Sequence, residues 1–269
     1  MTALIGALII HGMGSQDAGF SKPTSNAIDR ELGKLGAPPD SVAWQEVWWA
    51  PVLRKPEETY LKAARAQVGL DWMALRTFVV NALGDAVGYQ QPCTQSNSTY
   101  DAVHSRVRDC VHKLYVDGLG GTPKPMVVLA HSLGGQVMSN YIWDRQKPGV
   151  PSLGSEFEDM RWLAGLITFG CNIPLFSFAY NPATPIAFPG DCVPDTLKPQ
   201  ARWYNFLETD DVLAYPLRAI NPQYAAVVSA DVPINVGNIL TRWNPLSHNA
   251  YWTDRNFVKP VAKFIHTLI

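Results

Sequence analysis

Val127-Val128-Leu129-Ala130-His131-Ser132-Leu133-Gly134-Gly135 decides how the rest of the chain is read. The apolar run Pro125–Ala130 is the strongest strand in the chain, and Gly134–Trp143 has the pattern of a helix that begins directly after it. Ser132 sits in the turn between them. A turn this tight brings the strand and helix backbones together, so the positions two before and two after the serine must be small. Here they are Ala130 and Gly134, with Gly135 adding room. The same turn holds its central residue in a strained conformation and projects the hydroxyl away from the backbone. A serine hydroxyl becomes a useful nucleophile only beside a base. The helix start supplies unpaired N–H groups and a partial positive charge, so the Leu133 N–H is a candidate donor to an oxyanion.

Outward from this junction, strand-like and helix-like stretches alternate. Leu4–Ile10 is a nearly all-apolar strand of the kind buried on both faces of a parallel sheet. Asn26–Leu35 reads as a helix ending before Gly36, and Val42–Trp49 as a second strand. Ser98–Leu114 is a helix whose Val103, Val107, Cys110, Val111 and Leu114 recur every three or four residues. Leu163–Phe169 and Trp203–Leu207 read as strands, Ala225–Ser229 as a weaker last strand, and Thr253–Leu268 as a final helix with a kink or restart at Pro260. Strand-helix alternation in this order predicts an α/β class, a mostly parallel sheet with helices on both faces, in one domain over residues 1–269. Glu57–Ala86 is helical in pattern and dense in apolar residues. Together with the polar Gln90–Asn97 it predicts a cap-like helical insertion at about residues 55–95, a candidate lid or acyl-chain cover and equally an extra core helix.

Ala130-His131-Ser132-Leu133-Gly134-Gly135 after Val127-Val128-Leu129 resembles the G-x-S-x-G nucleophile elbow of the α/β-hydrolase superfamily, in the variant with Ala first that lipases and esterases use. Ile9-Ile10-His11-Gly12-Met13-Gly14 is similar to the H-G-x-G loop of the same enzymes, and by that resemblance the Met13 N–H is the second oxyanion donor. A phosphate loop is the weaker reading, since no third Gly and no Lys follow. Of six histidines, His11 and His131 stand at motif positions that hold His in the family without making it the base. His104 and His112 fall off the apolar stripe of their helix, where solvation is expected, and His266 is near the end. His248 remains, in a Ser-His-x-x-Tyr pattern resembling the base loop of lipase-like hydrolases. The family order Ser, Asp, His puts the acid after Trp203–Leu207, where Glu208, Asp210 and Asp211 follow one another closely. Asp210 is preferred because the family spacing is D-x-V, Asp211 is the alternative, and Glu208 and Asp231 rank lower. His11, Gly12, His131 and Cys171 are expected to border the substrate.

The resemblance implies a serine carboxylic ester hydrolase with an acyl-enzyme intermediate and no metal or organic cofactor. An acyltransferase or thioesterase would use the same residues, and a non-catalytic binding protein on the same fold would not need them together. With 22 Lys and Arg against 23 Asp and Glu, no basic excess points to nucleic acid or an anionic surface. Val68–Val87 is broken by Asp71, Arg76 and Asp85, which argues against stable membrane insertion. The apolar start lacks a preceding positive charge, so no signal segment is expected. Cys93, Cys110, Cys171 and Cys192 form no CxxC pair, which favours a reduced, cytoplasmic setting over a zinc site, with one or two disulfides left open. The expected partner is therefore a small-molecule ester.

Overall fold

Six short runs become six parallel strands because every connection between them is longer than the roughly dozen residues that a crossover between parallel strands requires. A computed structural model describes residues 3–14, 16–68, 77, 80, 84–89, 98–237 and 248–269. In chain order these contain β1 (Ile5–Ile10), α1 (Lys22–Lys34), β2 (Val42–Val47), α2 (Pro51–Val68), α3 (Ser98–Lys113), β3 (Met126–His131), α4 (Leu133–Gln146), β4 (Leu163–Phe169), α5 (Ile173–Ser177), β5 (Arg202–Leu207), α6 (Pro222–Val227), β6 (Ala230–Pro233) and α7 (Arg255–His266). The strands lie in the order β2-β1-β3-β4-β5-β6, and every neighbouring pair is parallel. The α/β class and the helices around a parallel sheet are therefore as the alternation predicts.

Position in the sheet explains composition. β1, β3 and β4 occupy the middle and are buried along their whole length, whereas β2 and β6 at the edges are only partly buried. Side chains alternate between two cores. Leu8, Ile10, Val128 and Ala130 face a layer that includes Val103, Val107 and Val111 of α3 and Val137 and Met138 of α4. Ile5, Ala7, Ile9, Val127 and Leu129 face the other, against Ile28 and Leu32 of α1 and Phe257, Val261 and Ile265 of α7. Each such fully buried aliphatic side chain contributes about 1.5–3 kcal/mol of burial free energy.

The structure corrects three local readings. Ala225–Ser229 is not a strand. Asn221 accepts the Gln223 and Tyr224 N–H groups with its side chain and Pro222 follows, a helix start that makes Pro222–Val227 α6 and moves the last strand to Ala230–Pro233. Pro260 neither breaks nor restarts α7, which runs through it. His104 is not solvated: its side chain is 13% exposed, its ring lies 4.0 Å from that of Tyr100 at a 40° tilt, and it takes part in a hydrogen bond with the Tyr89 hydroxyl. His112, by contrast, is exposed as expected and pairs with Glu158. Of the expected insertion, α2 and the helical turn at residues 84–88 are described. The remainder, with Gln90–Asn97 and Cys93, lies outside the described residues. Cys110, Cys171 and Cys192 are free thiols. No helix among the described residues is long and apolar enough to cross a membrane.

Candidate active site

The carboxyl ends of β3, β4 and β5 sit side by side, because His131 pairs with Phe169 and Phe169 with Phe206 in register. The turns that leave these ends bring Ser132, Gly170 and Glu208 to one edge of the sheet, the position at which open parallel sheets present chemistry. Ser132 is the residue between β3 and α4 and has φ +52° and ψ −126°, a conformation rarely adopted outside glycine. Its N–H donates to the Phe169 carbonyl and its carbonyl accepts the Gly135 N–H, which holds the turn from both sides.

The requirement for small neighbours is met with little margin. A Cβ at Gly134 would stand 2.6 Å from the His11 carbonyl oxygen, and one at Gly12 would stand 2.4 Å from the Ser132 Cβ and 3.0 Å from its Oγ. The loop after β1 therefore touches the serine turn directly. Gly12→Ala is expected to reduce any chemistry at Ser132 by at least about 100-fold and to destabilise the protein by roughly 1–3 kcal/mol through overpacking. Gly33→Ala, in α1 with open space around the added carbon, is the control and should stabilise by about 0.5–1 kcal/mol. Equal behaviour of the two variants in urea unfolding and in rate would contradict the close approach.

Ser132 Oγ lies 2.7 Å from His248 Nε2, and His248 Nδ1 lies 2.8 Å from Asp211 Oδ2. All three side chains are buried, at 0%, 7% and 4% exposure. Burial alone would raise the Asp211 carboxyl, but the His248 bond, the Leu213 N–H and the Tyr251 hydroxyl outweigh it and hold the group below its ordinary value. An ionised carboxylate can only accept, so Nδ1 carries the ring proton and Nε2 is left to accept from the serine hydroxyl.

Asp211, not the preferred Asp210, is the carboxylate that meets His248. The reason is the turn after β5. The Asp211 N–H donates to the Glu208 carbonyl, so Thr209 and Asp210 form the exposed corners and the chain returns inward at Asp211. Glu208 is buried and engaged elsewhere, accepting the Val236 N–H at 2.6 Å. Asp231 accepts from Asn205 Nδ2 and from the Leu217 and Arg218 N–H groups, which ties down the segment before α6.

The four residues expected to border a substrate are all buried. The His11 ring is fully buried, with Nδ1–H donating to the Gly12 carbonyl and Nε2 accepting from the Trp49 and Ala50 N–H groups. Burial pushes it down to about 4, so it stays neutral, stacked on Trp49 at 5.1 Å. Gly12 is pressed against Ser132. His131 is buried and neutral, held well below its ordinary value by burial and then by His248, and its Nε2–H donates to the His248 carbonyl at 2.7 Å. Cys171 is fully buried, packed against Gly135, and burial pushes its thiol up to about 12, which makes it inert. Leu133 opens α4 and Met13 lies in the β1 loop, and among the described residues neither N–H has a hydrogen-bond acceptor.

Tyr251 is a residue the sequence reading left without a role. Its hydroxyl accepts the Glu208 N–H at 2.8 Å and donates to Asp211 Oδ2 at 2.9 Å, so it links the β5 turn to the His248 turn. The signal was the Tyr of Ser-His-x-x-Tyr, three residues after the histidine. Ser247 of that pattern lies outside the described residues. No protein-family model matches the chain, and no curated protein matches it in sequence.

Proposed function

We propose that this chain is a serine carboxylic ester hydrolase of the α/β-hydrolase type, working through an acyl-enzyme. One observation carries the reading: an unusually strained serine donates to an imidazole whose other nitrogen donates to a buried carboxylate, at 2.7 and 2.8 Å. In the proposed reaction His248 Nε2 takes the Ser132 proton as Oγ attacks the ester carbonyl, and the carbonyl π pair moves onto oxygen. Asp211 stabilises the resulting imidazolium and keeps its orientation. Met13 and Leu133 N–H groups receive the oxyanion, each contributing roughly 3 kcal/mol by analogy with measured donors. The tetrahedral intermediate collapses, the alkoxide leaves with the proton from His248, and the acyl group stays on Oγ. Water, deprotonated by His248, then repeats the sequence and releases the carboxylic acid.

The buried arrangement supports this reading because it excludes water from everything except the reacting step, and a hydrogen bond to a charged group is worth most there. Burial of Cys171 and His131 in inert states leaves Ser132 as the nucleophile of this edge. Turnover of p-nitrophenyl esters of increasing acyl length, beside matched thioesters and alcohol acceptors, tests the proposal. Ester hydrolysis without added cofactor is expected, with acyl transfer to alcohols as the minor product. Faster thioester turnover would move the class, and no turnover of any acyl compound would overturn it.

A further inference from the structure

Gly14 ends the short loop that leaves β1, and its N–H donates to Asp85 Oδ2 at 2.8 Å across 71 residues of sequence. Asp85 belongs to the helical turn at residues 84–88 and is only 4% exposed. Gly14 has φ +99°, a backbone state open to glycine and strained for any residue with a Cβ, and the Asp85 bond fixes the direction of its N–H in that state. At the other end of the loop His11 Nδ1–H donates to the Gly12 carbonyl. That carbonyl shares a planar peptide unit with the Met13 N–H, and the Gly14 N–H shares one with the Met13 carbonyl. Fixing one group of a trans peptide fixes the direction of the other. Met13 therefore lies between two tethered peptide planes, one held by His11 and one by Asp85.

A carboxylate this deeply buried is costly unless it does something an apolar residue would not. Burial pushes Asp85 up to about 6, and the Gly14 N–H is the group that pulls it back. Farther along, the loop has separate anchors: Trp48 Nε1 and Arg54 Nη2 both donate to the Gln16 carbonyl, and Glu46 accepts the Gly19 N–H. None of these acts on the peptides around Met13; among the described residues, the side chains bonded to those two peptides are His11 and Asp85.

We propose that Asp85 is a positioning residue, whose carboxylate holds the Met13–Gly14 peptide plane while His11 holds the Gly12–Met13 plane, so that the backbone at Met13 is fixed from both sides and its N–H stays at the oxyanion position, and that the 84–88 turn is thereby part of the acyl-transfer machinery. This rests on the Ser132 reading given above. The consequence is kinetic rather than a matter of affinity: a misdirected donor weakens the transition state and leaves ester binding alone.

Asp85→Ala and Asp85→Asn distinguish this role from a merely structural one. With p-nitrophenyl acetate, Asp85→Ala is expected to lose about 10- to 100-fold in kcat, with KM within about threefold of the wild type. Asp85→Asn keeps an acceptor oxygen and is expected to recover to within about fivefold of the wild-type kcat. Amide hydrogen exchange at Met13 and Gly14, a readout independent of activity, is expected to rise at least about tenfold in Asp85→Ala and little in Asp85→Asn. The inference is overturned if Asp85→Ala keeps its kcat. It is also overturned if both variants lose rate and thermal stability alike, or if exchange at residues 13 and 14 does not change. Should the wild-type protein turn over no ester, the hydrolase reading fails by itself, and the exchange result still decides whether Asp85 holds this loop.

Discussion

Ser132→Ala is expected to lose ester hydrolysis by a factor on the order of 10⁶ in kcat, the size seen when a serine nucleophile is removed from a hydrogen-bonded Ser-His-Asp chain. The expectation follows from the division of labour at the sheet edge. In the proposed reaction Oγ forms the new bond, so without it neither His248 nor the N–H groups of Met13 and Leu133 would have an intermediate to act on. Rates well above the uncatalysed reaction can survive such a loss, because oxyanion donors still polarise a bound ester for direct attack by water. Folding should be little affected. One buried hydrogen bond, to His248, disappears, worth about 1 kcal/mol, and alanine bears the same φ of +52° that serine bears now. Rate loss together with an unchanged urea midpoint is the expected pair of results, and a variant that keeps one-tenth or more of the activity, roughly 10⁵ times the expected residue, sinks the assignment.

Asp211→Asn is the second large effect, about 10⁴-fold in kcat, and its cause is a proton in the wrong place. Asp211 Oδ1 accepts the Leu213 N–H at 3.0 Å, so the asparagine carbonyl oxygen will occupy that position. The amide NH₂ then falls where Oδ2 now meets His248 Nδ1 and the Tyr251 hydroxyl. An N–H facing Nδ1 makes Nδ1 the acceptor, moves the ring proton to Nε2 and leaves nothing to take the serine proton. Asp210→Asn, at an exposed corner of the turn, should stay within about twofold of the wild type, as surface changes do. Comparison of kcat for the two variants checks this, and equal small losses would refute the role given to Asp211.

These two aspartates show where sequence reading stops. The strained turn at Ser132 is legible because its causes are local: strand, small residues and helix start are contiguous, and a tight turn can be read from neighbours. His248 was legible by elimination and by the spacing of its loop, and the observed 2.7 Å contact with Ser132 brings together the two segments that reading selected. Which carboxylate meets His248 depends instead on which of two adjacent residues a β-turn throws outward. That is set by the Asp211 N–H to Glu208 carbonyl bond, not by residue type. Asp85 was read only as a charge interrupting an apolar stretch, because its partner is a main-chain N–H 71 residues away and leaves no trace in composition.

Fold elements divide along the same line. β1, β3 and β4 stood out because central parallel strands are apolar on both faces. β6 did not, since an edge strand of four half-exposed residues has no such pattern. Likewise the sequence places Cys171 near the site by its position at a strand end, as a packing residue rather than a second nucleophile, and His11 by its position in the β1 loop. The structure buries both, one locking the β1 loop and the other filling space against Gly135. Position along a strand is readable in one dimension, whereas the side of a turn on which an atom ends is not.

The most direct test of the central claim is the intact mass of the protein after exposure to a fluorophosphonate, followed by peptide mapping. The account predicts a single covalent adduct on the Ser132 hydroxyl of the wild-type protein and none on Ser132→Ala. A cooperatively folded wild-type protein that remains unmodified, or that carries the adduct on another residue, would contradict it.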